Sequence, residues 1–115
     1  MKQFTITENL YNHSIQAYVT ILDEGVHVLL TGGEKSHIGA ISRISTDAGL
    51  QTMTFPDHKE DIISMEWTKK IFAWIYKPVV VAVGIHYDDV SKAQIEKIVG
   101  LTDSMLTELL QRLSI

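Results

Sequence analysis

The chain reads as one α+β domain: a mainly antiparallel six-stranded sheet with two main helices packed against it. Three observations predict this. The first half alternates apolar and polar residues in short runs separated by brief polar turns. From Ile63 the apolar spacing becomes helical. After Pro78 comes a β-branched run without alternation, followed by a second helical stripe. The order is five strands, helix, strand, helix, with the last helix broken near Gly100.

Phe4 and Ile6 alternate with polar residues and mark the first strand. Ile15, Ala17, Val19 and Ile21 give the second strand one buried face. Asp23-Glu24-Gly25 is a turn, and residues 26–31 form the third strand. Residues 38–45 and 50–55 are the fourth and fifth, joined through residues 46–49. Such short connections suggest an antiparallel meander.

In the first helix Ile63, Trp67, Ile71, Trp74 and Ile75 share a face, opposite Glu66, Lys69, Ala73 and Lys77. Asp57 and Glu60 have capping-box spacing ahead of it, and Pro78 stops it. Residues 79–83 lack alternation, so both faces are covered and the strand is central. Ser91 and Gln94 have capping-box spacing for a helix starting at Lys92. Gly100 is expected to break that helix, and Thr102 to cap a final one with the stripe Met105, Leu106, Leu109, Leu110 and Leu113.

At 115 residues the chain is large enough for one core without staples. Its net charge of −4 argues against a nucleic-acid partner. It has no cysteine, which excludes disulfides, thiolate catalysis and cysteine zinc sites. The N-terminus lacks an apolar signal core, and no apolar run approaches a membrane span. A cytoplasmic protein with no membrane association is expected.

Two segments carry chemistry. The first is Thr31-Gly32-Gly33-Glu34-Lys35-Ser36-His37-Ile38-Gly39, between two strands. Adjacent glycines can bare their amides, and Lys35, Ser36 and His37 add donors beside them, as an anionic ligand needs. A plain hairpin turn explains the same residues. The segment has neither Walker spacing nor a dinucleotide fingerprint. The second segment is Gly84-Ile85-His86, at the end of the central strand where ligand crevices open. Lys92, in the first turn of the next helix, opposes the helix dipole, which an anion held there would relieve. The competing reading points Lys92 into water, balanced by Asp88 and Asp89. His37, His58 and His86 with Asp88 and Asp89 are ligand types that could hold a metal, but none has helical i,i+4 spacing and the histidines lie far apart in sequence, so no metal site is assigned. No nucleophile–base pair stands out either, since neighbours such as Ser36 and His37 point to opposite strand faces.

The pairing of TGG-x3-HIG at Thr31 with GIH-x5-KAQI at Gly84 resembles the LpdD-like family, the small D subunits that accompany UbiD-like aromatic acid decarboxylases. Phe55-Pro56 with His58, and Leu101-Thr102-Asp103, extend the resemblance over roughly residues 15–113. It implies a fold like that of the proteasome assembly chaperones, a homodimer, and a non-catalytic chaperone for prenylated flavin mononucleotide, or FMN itself. It further implies delivery to a UbiD-like decarboxylase, with a flavin prenyltransferase as a second candidate partner. The expected cofactor contacts are Thr31, Gly32, Gly33, Lys35, Ser36, His37, Gly84, His86 and Lys92, with Trp67, Trp74, Tyr76 and Tyr87 as candidate pocket aromatics. Glu34-Lys35 and Tyr87-Asp88-Asp89 are the variable parts of the two motifs. A protein-only assembly module and a small enzyme acting on an aromatic acid are the rival readings.

Overall fold

The computed structural model describes residues 1–55 and 60–113. Six strands form one sheet: β1 (Lys2–Leu10), β2 (His13–Leu22), β3 (Gly25–Gly33), β4 (Lys35–Ile44), β5 (Gln51–Thr54) and β6 (Val79–His86). Helix α1 (Asp61–Ile75) precedes β6, and α2 (Lys92–Leu113) closes the chain. The α+β class and the mainly antiparallel sheet are as expected.

The meander is not. The sheet order is β1-β2-β3-β6-β4-β5. Strand β6 enters between β3 and β4, parallel to the first and antiparallel to the second. The run is central, as expected, and parts two strands that are adjacent in sequence, but its two faces are not both covered: Val80, on the face away from the helices, is 38 % exposed. Strands β3 and β4 keep one pairing, Gly32 with Lys35.

Both helices cover the same face of the sheet, α1 over β4 and β6 and α2 beside β1. The alternation in β2 therefore buries Ile15, Ala17 and Val19, which meet Val28, Leu30, Val81, Val83, Trp67, Ile71, Met105 and Leu109 in one core. Trp67 is 1 % exposed, but Trp74, expected on the same stripe, is 54 % exposed. The face that α1 buries is Ser64, Trp67, Thr68 and Ile71; Trp74 sits in the last turn, beside the open end of the sheet.

Two helix expectations fail for identifiable reasons. Helix α2 runs unbroken through Gly100, which is exposed with open space where a Cβ would sit, while Ile98, Thr102, Met105, Leu106 and Leu109 are buried. Packing of that face outweighs the ~1 kcal/mol propensity cost of one glycine. Thr102 accordingly bonds back to the Val99 carbonyl and caps nothing. The capping box of α2 forms as expected, with Ser91 N–H donating to Gln94 Oε1 and Gln94 N–H to Ser91 Oγ. At α1 Glu60 is itself the N-cap residue, and its carboxylate makes no cap bond. Asp57 and His58 lie outside the described residues.

Among the described residues, the other face of the sheet carries no helix. One register row across it is apolar: Tyr18 pairs with Leu29, Leu29 with Ala82, Ala82 with Ile41, and Ile41 with Met53. The next row is polar apart from Val80: Thr20, His27, Val80, Arg43 and Gln51. No described helix is long and apolar enough to cross a membrane.

Candidate functional site at the end of the central strand

The two motif segments meet at the C-terminal end of β6. The glycine-rich segment is not a loop. Strands β3 and β4 enter it from both sides and leave Glu34 as the one turn residue. Gly33 has φ +83°, a conformation that favours glycine, and a Cβ on it would overlap the His86 carbonyl. Glu34 N–H donates to that same carbonyl at 2.7 Å. A Cβ on Gly32 would likewise strike the Ser14 carbonyl. These glycines allow close strand approach.

Strand β4 then bulges. Ser36 pairs with Ile85 and Ala40 with Val83, so residues 37–39 stand opposite Gly84 alone. The His37 carbonyl packs onto Gly84 where a Cβ would sit. The Thr31 hydroxyl clamps the crossing: it donates to the Gly84 carbonyl at 2.8 Å and accepts from His37 N–H at 3.1 Å. Thr31, Gly32, Gly33 and Gly84 thus shape the backbone that aims the two histidines.

The bulge turns the His37 ring toward α1. Its Nε2 lies 3.0 Å from Glu60 Oε1, and both side chains are mostly buried. The His37 and His86 rings meet edge to face, with centroids 6.1 Å apart. His86 Nε2 lies 2.8 Å from Asp88 Oδ1. That hydrogen bond is the main reason the Asp88 carboxyl is held below its ordinary value; the nearby His86 and Lys35 charges add to it. Glu34 Oε2 accepts the Asp88 main-chain N–H.

Beside these groups is a cavity of about 300 Å³ between the end of β6 and the first turns of both helices. Ile62, Ile63, Ile85, Val90, Ile95, Ile98 and Val99 make most of its wall; Glu60, His86 and Tyr87 supply its polar atoms. Glu60 Oε2 is buried and has no hydrogen-bond partner among the described residues. An acceptor in that state suits a ligand with an N–H group. Tyr87 is fixed by its hydroxyl, which donates to the Leu10 carbonyl at 2.7 Å, and by edge contacts with Tyr11 and His13. The β1–β2 hairpin, whose two turn residues Tyr11 and Asn12 have positive φ, is thereby tied to the site. Partial burial there, with the Glu34 charge nearby, raises the Tyr87 phenol above its ordinary value.

Of the nine expected contact residues, the structure brings eight together at this end of the sheet. His86 lines the cavity and His37 reaches it through Glu60. Lys35 and Ser36 pair with His86 and Ile85 along β4. Lys92 is exposed at the first turn of α2 and is not in the cavity wall. Of the candidate aromatics, Tyr87 lines the cavity, Trp67 is core, and Trp74 and Tyr76 are exposed at the far end of α1. Sequence reasoning missed Glu60 as a site residue, because its spacing from Asp57 had a ready explanation in capping.

A second cavity of about 530 Å³ opens at the opposite end, lined by Lys2, Trp74, Lys77 and Arg112 among others. Two of its three cations are already engaged: Lys77 Nζ with the Asp23 carbonyl at 3.0 Å, and Arg112 with Glu108 and the Phe4 ring. Neither motif segment reaches it.

Residues 9–114 match the family described as the prenylated flavin chaperone LpdD-like domain. A curated relative, Protein LpdD of Lactiplantibacillus plantarum, is 25% identical over 111 residues, covering 92% of this chain and 82% of its own length. Among solved structures, a chain from a chaperone complex for yeast 20S proteasome assembly superposes with a TM-score of 0.59 at 11% identity, covering 94% of each chain. That likeness is one of fold.

Proposed function

The chain belongs to the prenylated flavin chaperone LpdD-like family, and from that premise we propose that it binds prenylated FMN in the cavity at the end of β6. It holds the cofactor and passes it to a UbiD-like decarboxylase, without catalysing a reaction itself. The observation that carries this reading is the cavity's composition: an apolar wall holding one buried carboxylate oxygen, Glu60 Oε2, that has no partner among the described residues. A flavin ring system is apolar on its faces and carries an N–H donor on its edge, so the residues present fit it. About 300 Å³ is the small end of the range for ligand sites, which suits the rings with the phosphate tail at the open mouth. Lys35, which pairs with His86 and acts on Asp88, is a cation at that mouth, and Lys92 lies in the first turn of α2, which follows it.

The bound flavin brings its own electronics, exercised in the decarboxylase. This chain's residues contribute shelter and orientation. Ile63, Ile95 and Val99 exclude water from the ring faces, Glu60 accepts from the ring edge, and His37 keeps the Glu60 carboxylate in place. Weak, reversible holding is enough for a carrier that gives up its cargo to a tighter site.

The carrier is a homodimer joined through the helix-free face of the sheet. The row Tyr18, Leu29, Ala82, Ile41 and Met53 is uncharged over five strands and self-complementary about its small centre, Ala82. Six strands ~4.8 Å apart and about eight residues long present roughly 650 Å², near the ~800 Å² per partner of a stable interface.

Co-expression with a flavin prenyltransferase, followed by native mass spectrometry and an absorption spectrum, tests the proposal. A dimer carrying the mass of prenylated FMN, with flavin absorbance, supports it. A ligand-free protein despite confirmed cofactor supply favours a protein-only assembly module.

A further inference from the structure

We propose that Glu34, His86 and Asp88 form a binding site for a divalent transition-metal ion at the mouth of the cavity. Their donor atoms lie within 4.8 Å of one another. Two carboxylates and one imidazole are the ligand types that hold Zn²⁺, Mn²⁺ or Fe²⁺ and leave further positions to water or an anion. Three points 4.8 Å apart lie about 2.8 Å from their centre, so ligation at ~2.0–2.2 Å needs roughly 0.7 Å of contraction. The exposed Glu34 and Asp88 side chains can make that movement by rotation.

The backbone that carries the three ligands is already built. Glu34 N–H is bonded to the His86 carbonyl, Lys35 pairs with His86, and Gly33 is a glycine where a Cβ would separate the two strands. Asp88 N–H is held by Glu34 itself. The ligands come from a one-residue turn and from the end of the strand beside it, so little chain entropy is lost on binding. An ion here also changes the electrostatics of the mouth. Glu34, Asp88 and Asp89 outnumber Lys35 there, and a bound dication offsets their negative charge. The ion site stands on the three ligands and is independent of the flavin reading.

Isothermal titration of the untagged, chelator-treated chain with Zn²⁺ alone, and with Mn²⁺ alone, tests it. The expected result is one saturable site per chain, weakened at least about tenfold by Glu34→Gln and by Asp88→Asn, and unchanged by Asp89→Asn. Glu34 and Asp88 are surface residues, so both variants keep the fold, which circular dichroism checks. Absence of saturable one-to-one binding for both ions overturns the proposal. So does affinity retained in the Glu34→Gln/Asp88→Asn double variant, which assigns the ion to other surface histidines. Flavin loading of the metal-free chain is a separate measurement, so either reading can fail alone.

Discussion

The main-chain carbonyl of His37 occupies the space where a side chain on Gly84 would begin. This single crossing joins the two sequence motifs. The β4 bulge exists only because β6 offers it a glycine, and the bulge is what turns His37 toward Glu60. Gly84→Ala therefore places a methyl group against a backbone that cannot yield cheaply. The expected cost is about 3 kcal/mol, a fall in Tm of roughly 10 °C. Thermal unfolding of Gly84→Ala beside Gly49→Ala, a site with open space around it, checks this; equal Tm values would show that the crossing is loose.

Tyr87 secures the β1–β2 hairpin to the site across 77 residues of sequence. Tyr87→Phe removes the bond to the Leu10 carbonyl but keeps the ring contacts with Tyr11 and His13. A loss of about 1 kcal/mol is expected, with faster amide exchange at Leu10 to His13. Unchanged exchange in the hairpin would contradict the fastening role.

Much of this architecture was legible in the sequence. Alternation in β2 marks its core face, because one side of that strand meets helices and the other does not. The unbroken apolar run of β6 marks a central strand. The position of β6 between β3 and β4 was not legible, since β3 and β4 are neighbours in sequence and strand order is settled by non-local pairing. Gly100 misled because local propensity is a weak term beside the packing of Ile98 and Met105. At the site, the histidines and glycines stood out as motifs. Asp88 was weighed beside the histidines as a metal ligand, but Glu34 was not, because only the pairing of Lys35 with His86 brings the β3–β4 turn beside the end of β6.

The Asp88 carboxyl titrates below its ordinary value, chiefly through its hydrogen bond with His86. In chelator-treated protein, carboxyl NMR is expected to show a midpoint below the ~3.9 of a free aspartate. His86→Ala moves that midpoint upward. The sign follows from linkage: a lowered folded-state value contributes stability above the ordinary carboxylate range, and the contribution is lost as pH falls through the lowered value. An unmoved midpoint in His86→Ala would assign the shift to Lys35 and Glu34.

The helix-free sheet face is the proposed dimer interface. Ile41→Lys puts a charge into the apolar row beside Ala82 and Met53, on a strand surface that tolerates it when free. Sedimentation velocity is expected to give a dimer for the native chain and a monomer for Ile41→Lys, both folded. A native monomer would remove the interface, and a dimer in both would move it to another surface.

The central claim is that the cavity at the end of β6 holds the flavin. The most direct measurement is a fluorescence titration of the ligand-free chain with prenylated FMN, run on the native protein, on Ile95→Asp in the cavity wall and on Lys77→Ala at the opposite cavity. Ile95 is 48 % exposed on α2, so its variant folds. The account predicts saturable binding, a loss of about tenfold or more in Ile95→Asp as a carboxylate enters the apolar wall, and no change in Lys77→Ala. Full affinity in Ile95→Asp with a loss in Lys77→Ala would contradict it and move the flavin to the opposite end of the molecule.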